Sequence, residues 1–496
     1  MSLRKVVTTA GAAVAVLGLT APAEAAPTPP TWTPCTQLAP SWSKNAGTSA
    51  ECTTVTVPVD YARPDGRTME IAVDRIPASD PAHRRGVLVL NPGGPGGTGM
   101  AMPEQIRTSR LAALAEHYDL IGFDPRGTGY SAQIGCQASG GPQPRPGQSE
   151  KDQALTGIRW KAETFGSCVE KDPEFARSLG AVTVARDVDA IRQALGEEKI
   201  DYFGVSWGTA LGAAYRSLFD DHVGRMALDS ALPAELDLDR FEAAETKAHD
   251  ENVHRFAGWM AERDDVLHLG TTADQVFATV LALRDELEAH PRPIEEGGQP
   301  ATLNGTWVSN QAGSLSPQWG YAASALAAVR AGKNPPPDPH GTQPAGFGWD
   351  EERPYVLNRF VQHAINCADS TGTRDLEAMW QDFSVLRQRY PVSAASEPIY
   401  AGSCVQWPAP GKNVGYRPGR SQLQLIAHRY ESVTPYQGTS EMQRRIGGSV
   451  LTVQNDVHAS VATLACASEV TRFFETGEPA TGSCDGPPIP EPQPVP

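Results

Sequence analysis

The stretch Lys199 to Tyr215, KIDYFGVSWGTALGAAY, restricts this chain more than any other. A short apolar run, Ile200 to Val205, passes into a small-residue helix pattern through a single turn, Gly204-Val205-Ser206-Trp207-Gly208. So abrupt a strand-to-helix turn brings two backbones together, and a Cβ at Gly204 or Gly208 would collide with the facing element. Ser206 is left at the apex, pointing away from the sheet, beside the partial positive charge of a helix N-terminus. Ala210, Ala213 and Ala214 let the helix lie close on the strands. Ser206 is therefore the candidate nucleophile. A G-x-S-x-G in an ordinary surface turn would carry no chemistry, so the motif counts only with its strand, its helix and partner residues elsewhere.

The surrounding pattern supplies the sheet. Thr53 to Val59 and Met69 to Ile76 alternate polar and apolar residues about Pro64-Asp65-Gly66, a hairpin signal. Gly86 to Leu90, Tyr118 to Phe123 and Arg225 to Asp229 read as buried strands, and Val182 to Leu195 as an amphipathic helix with Gly196 as its C′ residue. This alternation predicts a mostly parallel sheet with helices on both faces. From Pro233 to Gly419 it gives way to helical patterns at Arg240 to Glu262, Ala273 to Glu288, Tyr355 to Cys367 and Leu376 to Tyr390, with Pro/Gly loops such as Lys333 to Phe347. The sheet resumes at Gln422 to Ala427 and Ser449 to Val453, and a helix from Val461 to Phe474 closes it. The predicted organisation is a core over 26–232 and 420–496, interrupted by a mainly helical cap over 233–419.

The loop Asn91 to Gly99, NPGGPGGTG, follows a central strand. It lacks the Gly-Lys-Ser/Thr of a phosphate loop and the G-x-G-x-x-G of a dinucleotide site. Unobstructed backbone N–H groups upstream of a nucleophile suit an oxyanion hole, with Gly94 and Trp207 as the expected donors. A serine also needs a base, and the base a carboxylate. His458, after the last predicted strand, is the candidate base; His428, at the end of a strand, is the weaker choice. Glu431, on the loop after the preceding strand, is the candidate acid. Asp229 and Asp456 are the alternatives.

The first residues predict a compartment. Arg4 and Lys5, the apolar run Val6 to Leu19 and Ala23-Glu24-Ala25 read as a signal peptide over 1–25, with a mature secreted chain following. Eight cysteines fit an oxidising environment, and their sequence-local couples are Cys35 with Cys52, Cys136 with Cys168, Cys367 with Cys404, and Cys466 with Cys484. Those pairings are one choice among on the order of a hundred connectivities. No C-x-x-C supports zinc or redox chemistry, and no metal or organic cofactor is expected. A formal charge of −16 argues against nucleic acid as a partner. The run at the start is short for a bilayer, so no stable membrane association is expected; the oligomeric state is open.

Taken together, NPGGPGGTG, DPRGTGYS (Asp124 to Ser131), ARDVDAIRQALG (Ala185 to Gly196), YFGVSWGTALG (Tyr202 to Gly212), INCAD (Ile365 to Asp369) and VTPYQG (Val433 to Gly438) make the chain resemble the secreted tripeptidyl-aminopeptidase branch of the prolyl-aminopeptidase-like serine peptidases, within the α/β-hydrolase superfamily. The resemblance implies an α/β-hydrolase fold and release of short peptides from free N-termini by Ser206, Glu431 and His458 beneath a helical cap. An aminopeptidase also needs an anion for the substrate ammonium, and Asp369 in the cap is the candidate. Three positions depart from the family pattern: Glu431-Ser432 stands for Asp-Pro, Val457-His458-Ala459 for Gly-His-Gly, and Leu228-Asp229-Ser230 for Leu-Asp-Gly. Two further readings accompany the exopeptidase: an esterase or amidase acting on a small metabolite, and a non-catalytic binding homologue.

Overall fold

Side-chain alternation along the central strands sorts the core into two layers. The computed structural model describes residues 30–39, 42, 50–100, 102–136, 141–142, 145, 147–296, 299–337, 356–394, 401–405 and 407–493. The expected signal peptide and most of the Lys333 to Phe347 loop lie outside them. In chain order the strands are β1 (Thr33–Pro34), β2 (Glu51–Pro58), β3 (Thr68–Ile76), β4 (Gly86–Asn91), β5 (Tyr118–Phe123), β6 (Ile200–Val205), β7 (Val223–Asp229), β8 (Arg292–Glu296), β9 (Gln299–Leu303), β10 (Gln422–His428), β11 (Ser449–Gln454) and β12 (Gly482–Asp485). All but β8 and β9 form one sheet, ordered β1-β2-β3-β5-β4-β6-β7-β10-β11-β12. Pairing is antiparallel from β1 to β5 and parallel from β5 to β12.

Val87, Val89, Tyr202, Met226 and Leu228 face one layer, packed against Val184, Val188 and Ile191 of the Ala181–Ala194 helix and Leu211 and Ala214 of the Trp207–Phe219 helix. Their neighbours Leu88, Leu90, Phe203, Val205 and Ala227 face the other, against Ile106, Val470, Phe473 and Phe474. Burying each large apolar side chain contributes about 1.5–3 kcal/mol, so both faces of the sheet must stay covered. The C-terminal ends of β4, β6, β7, β10 and β11 therefore meet at one edge, where open α/β sheets hold their sites.

The segment between β7 and β10 carries a separate apolar cluster around Val253, Phe256, Met260, Val280, Leu283, Trp319 and Leu326. Besides the expected helices it contains the β8/β9 hairpin and the helices Gly305–Ala312 and Trp319–Arg330, which the sequence pattern does not reveal. The Glu150–Lys171 helix is likewise absent from the expectation. Its buried stripe of Ala154, Leu155, Ile158, Phe165 and Cys168 is outnumbered by polar residues after a Gly/Pro/Gln-rich loop.

Two boundaries differ from expectation. The helix expected from Tyr355 begins at Arg359, because Asn358 keeps an extended backbone and its side chain caps the helix, accepting from the N–H groups of Phe360 and Val361. The expected Val461 to Phe474 helix is a 3₁₀ turn, Val461–Thr463, followed by the helix Ala467–Thr476, and β12 follows it, so β11 is not the last strand. β12 is a four-residue edge strand of low strand propensity, attached through Cys484 to Cys466. All four sequence-local cysteine couples are disulfides.

Candidate active site

Ser206 sits between β6 and the Trp207–Phe219 helix with φ 57° and ψ −126°. A non-glycine residue there is strained by about 1–3 kcal/mol and persists only where its surroundings impose it. Here they do: a Cβ on Gly204 would lie 2.4 Å from the Gly208 carbonyl, one on Gly208 would lie 2.6 Å from that of Asn91, and the Ser206 N–H donates to the Asp229 carbonyl at 3.0 Å. Ser206 itself stays half-buried, at the edge of the sheet.

The glycine loop lies directly on this turn. Gly93 has φ +92°, and a Cβ on it would be 2.4 Å from the Val205 carbonyl and 2.9 Å from the Trp207 nitrogen. Asn91 Oδ1 accepts the Gly93 N–H at 3.0 Å. The Gly94 N–H makes no hydrogen bond among the described residues, and Trp207, first in its helix, has no intrahelical acceptor. These two donors are the ones the sequence singles out. Asp124 fastens the far end of the loop: Oδ1 accepts from the N–H groups of Gly99 at 2.9 Å and Met100 at 3.0 Å, and Oδ2 from Tyr130 at 2.8 Å. Burial pushes this carboxyl up, against the pull of those three donors. From the segment between β7 and β10, the Asn358 N–H donates to the Gly96 carbonyl at 2.8 Å, and the Thr98 N–H donates to the Val356 carbonyl at 3.2 Å.

Glu431 and His458 meet. His458 Nδ1 is hydrogen-bonded to Glu431 Oε1, which also accepts from the Thr434 N–H at 3.0 Å and Thr434 Oγ1 at 2.5 Å. Ser230 Oγ donates to Oε2 at 2.9 Å. Burial alone would push Glu431 up, but the charge and hydrogen bond of His458, the charge of His428 and the Thr434 bond outweigh it and hold the carboxyl below its usual range. The His458 side chain keeps 27% of its surface exposed against 1% for Glu431, so the pair is anchored at the acid and open at the ring.

The alternatives are occupied elsewhere. Asp229 Oδ1 pairs with His428 Nε2 at 2.8 Å, both side chains fully buried, and His428 Nδ1 meets Asn455 Oδ1 at 2.6 Å. Asp456 accepts from the Ser316 N–H at 2.9 Å and Oγ at 2.6 Å. The segment between β7 and β10 also grips the loop that carries Glu431: Asn252 Nδ2 donates to the Tyr430 carbonyl, and the Arg255 guanidinium lies 3.5 Å over the Tyr430 ring.

Asp369 ends the Arg359–Asp369 helix and accepts the Ala181 N–H at 2.7 Å. Burial pushes its carboxyl up to about 7, the Ala181 bond opposing. It borders a small cavity of about 20 Å³ whose wall includes Trp207, Leu232, Asn366, Asn413 and Tyr416. Sequence reasoning gives no role to Asn91, Asp124, Ser230 or Thr434. Asn91, Asp124 and Thr434 lie within the motifs quoted above, but most of their partners are backbone groups, which residue spacing does not reveal.

Residues 86–312 match the family described as alpha/beta hydrolase fold, and residues 390–484 that described as TAP-like protein. The chain is 31% identical over 424 residues, 82% of its length and 77% of the relative's, to a tripeptidyl aminopeptidase of Streptomyces lividans. It is 28% identical to the serine protease Hip1 of Mycobacterium tuberculosis, covering 87% of this chain and 86% of that one. At 28% over 86% of this chain and 85% of the other, it is also similar to carboxylesterase B of Mycobacterium tuberculosis. An elbow serine at the sheet edge, an acid–histidine pair on the loops after β10 and β11 and these relatives agree: the chain is a serine hydrolase of the peptidase type and belongs to the tripeptidyl-aminopeptidase-like family of the α/β-hydrolase superfamily.

Proposed function

We propose that the protein is a secreted exopeptidase that releases short peptides, tripeptides foremost, from free N-termini through an acyl-enzyme on Ser206. The observation that carries this reading is the Glu431–His458 pair, held at the same sheet edge as the strained Ser206 turn. In the proposed reaction His458 Nε2 takes the Ser206 hydroxyl proton as Oγ attacks the substrate carbonyl, while Glu431 stabilises the imidazolium through Nδ1–H. The Gly94 and Trp207 N–H groups receive the developing oxyanion. Collapse of the tetrahedral intermediate breaks the amide bond, and the leaving amine takes the proton from His458. Water, deprotonated by the same imidazole, then attacks the acyl-enzyme, releases the peptide acid and restores Ser206.

In this reading Asp369 anchors the substrate ammonium from the cap, and the cap over 233–419 limits how much chain can enter. Four disulfides suit export to an oxidising compartment. The likeness to a carboxylesterase supports a second reading, an esterase acting on a small molecule. Rates on matched tripeptide amides and simple esters, with free and acetylated N-termini, separate the two: preference for free-amine amides upholds the exopeptidase, and indifference to the amine favours the esterase.

A further inference from the structure

Ser230 follows Asp229 at the end of β7 with φ +59°, a left-handed conformation that costs a residue with a Cβ about 1 kcal/mol or more relative to glycine. Its side chain is fully buried and uses its hydroxyl twice. It donates to Glu431 Oε2 at 2.9 Å and accepts the N–H of Ala459, the residue after His458, at 2.9 Å. Ala459 is itself left-handed, with φ +58°. The Ser230 N–H donates to the Ile426 carbonyl of β10 at 3.1 Å, and the preceding residue accepts the Ser206 N–H. One residue thus contacts the acid, the turn bearing the base and the strand ends around the nucleophile.

The two carboxylate oxygens of Glu431 are held unequally. Oε1 has His458 and both donors of Thr434, whereas Ser230 is the one hydrogen-bond partner of Oε2 among the described residues. Without it Oε2 loses its partner, the carboxylate is held from one side alone, and the Ala459 N–H loses its acceptor in a buried site. We propose that Ser230 is a positioning residue for the acid–base pair, its hydroxyl fixing both the Glu431 carboxylate and the His458-Ala459 turn. A glutamate has the length to span from its loop to Ser230 and His458 together; an aspartate on the same backbone is one methylene short. The hydroxyl at 230 and the length of the acid at 431 therefore act as a unit.

The inference rests on the Ser206–Glu431–His458 reading, and a double-mutant cycle tests it. Ser230→Gly and Ser230→Ala are compared with Glu431→Asp and Ser230→Gly/Glu431→Asp, with Ser206→Ala as the blank and thermal melts for each. We expect kcat to fall about tenfold or more in both Ser230 variants with KM nearly unchanged, the scale of one hydrogen bond to a charged group. Adding Ser230→Gly to Glu431→Asp should cost less than about threefold. If Ala at 230 unfolds the protein, the glycine variant, which relieves the left-handed strain, carries the comparison. Where turnover of Glu431→Asp is too slow to follow, the rate at which a fluorophosphonate labels Ser206 replaces it. Full kcat in Ser230→Gly, or an equal loss in both acid backgrounds, would overturn the proposal. Activity surviving Ser206→Ala would instead overturn the reading beneath it.

Discussion

The His428 ring is held between the Asp229 carboxylate at 2.8 Å and the Asn455 amide oxygen at 2.6 Å. The orientation of that amide follows from its other partner. Asn455 Nδ2 donates to Ser460 Oγ at 2.8 Å, and Ser460 gives its own proton to the Val457 carbonyl at 3.0 Å. Both ring nitrogens of His428 therefore face acceptors, an arrangement that favours the protonated ring. The pair ties the ends of β7, β10 and β11 together and removes Asp229 and His428 from competition with Glu431 and His458.

That pair should give stability a pH dependence. Burial alone pushes His428 down, but the charge and hydrogen bond of Asp229, the charge of Glu431 and the Asn455 bond overcome it and raise the imidazole to about 9. A folded-state value above the unfolded one contributes stability that is complete below about pH 6.5 and lost as pH rises through about 9, on the order of 3 kcal/mol in all. Melting temperature measured across this window should fall, and His428→Gln should flatten the slope. Asp229→Asn, which leaves the buried cation unpaired, should destabilise by roughly 3–5 kcal/mol at about pH 6.

Asn358 joins the segment between β7 and β10 to the glycine loop. Its Oδ1 caps the following helix, Nδ2 donates to the Gly127 carbonyl at 2.9 Å, and its N–H holds Gly96. Asn358→Ala should lower stability by about 1–2 kcal/mol through the lost cap, read by urea denaturation. The backbone bond to Gly96 survives the substitution but on a looser segment, so kcat should drop while a pure capping defect would leave it unchanged.

For Asp369, the substitution to Asn keeps an acceptor for the Ala181 N–H and removes the charge. KM for free-amine substrates should rise roughly tenfold or more, and KM for N-blocked esters should hold. With the carboxyl at about 7, KM for free-amine substrates in the wild-type protein should also climb as pH falls through that value, since protonation removes the anion. Equal changes for both substrate types would exclude an ammonium anchor here.

Much of this site is legible in the sequence because elbow chemistry is local. Gly204, Ser206 and Gly208 announce themselves by residue type, and the order of the candidate nucleophile, acid and base follows from which loops the sheet brings to one edge. The structure places Glu431 against His458 rather than Asp229 or Asp456, a choice the sequence leaves open. Ser230 and Ala459 show in the sequence only as departures from glycine; their left-handed backbones and shared hydrogen bond depend on three strand ends meeting. The Glu150–Lys171 and Trp319–Arg330 helices are hidden for opposite reasons. The first is too polar to display its stripe, and the second, buried on nearly every side, shows no polar face to set a period.

The central claim is tested most directly by the activity of the purified protein on chromogenic tripeptide amides with free and acetylated N-termini, alongside Ser206→Ala. The account predicts cleavage of the free-amine substrates that disappears in Ser206→Ala, a loss of about a thousandfold or more. Cleavage that persists in that variant, or equal turnover of free and acetylated substrates, would contradict it.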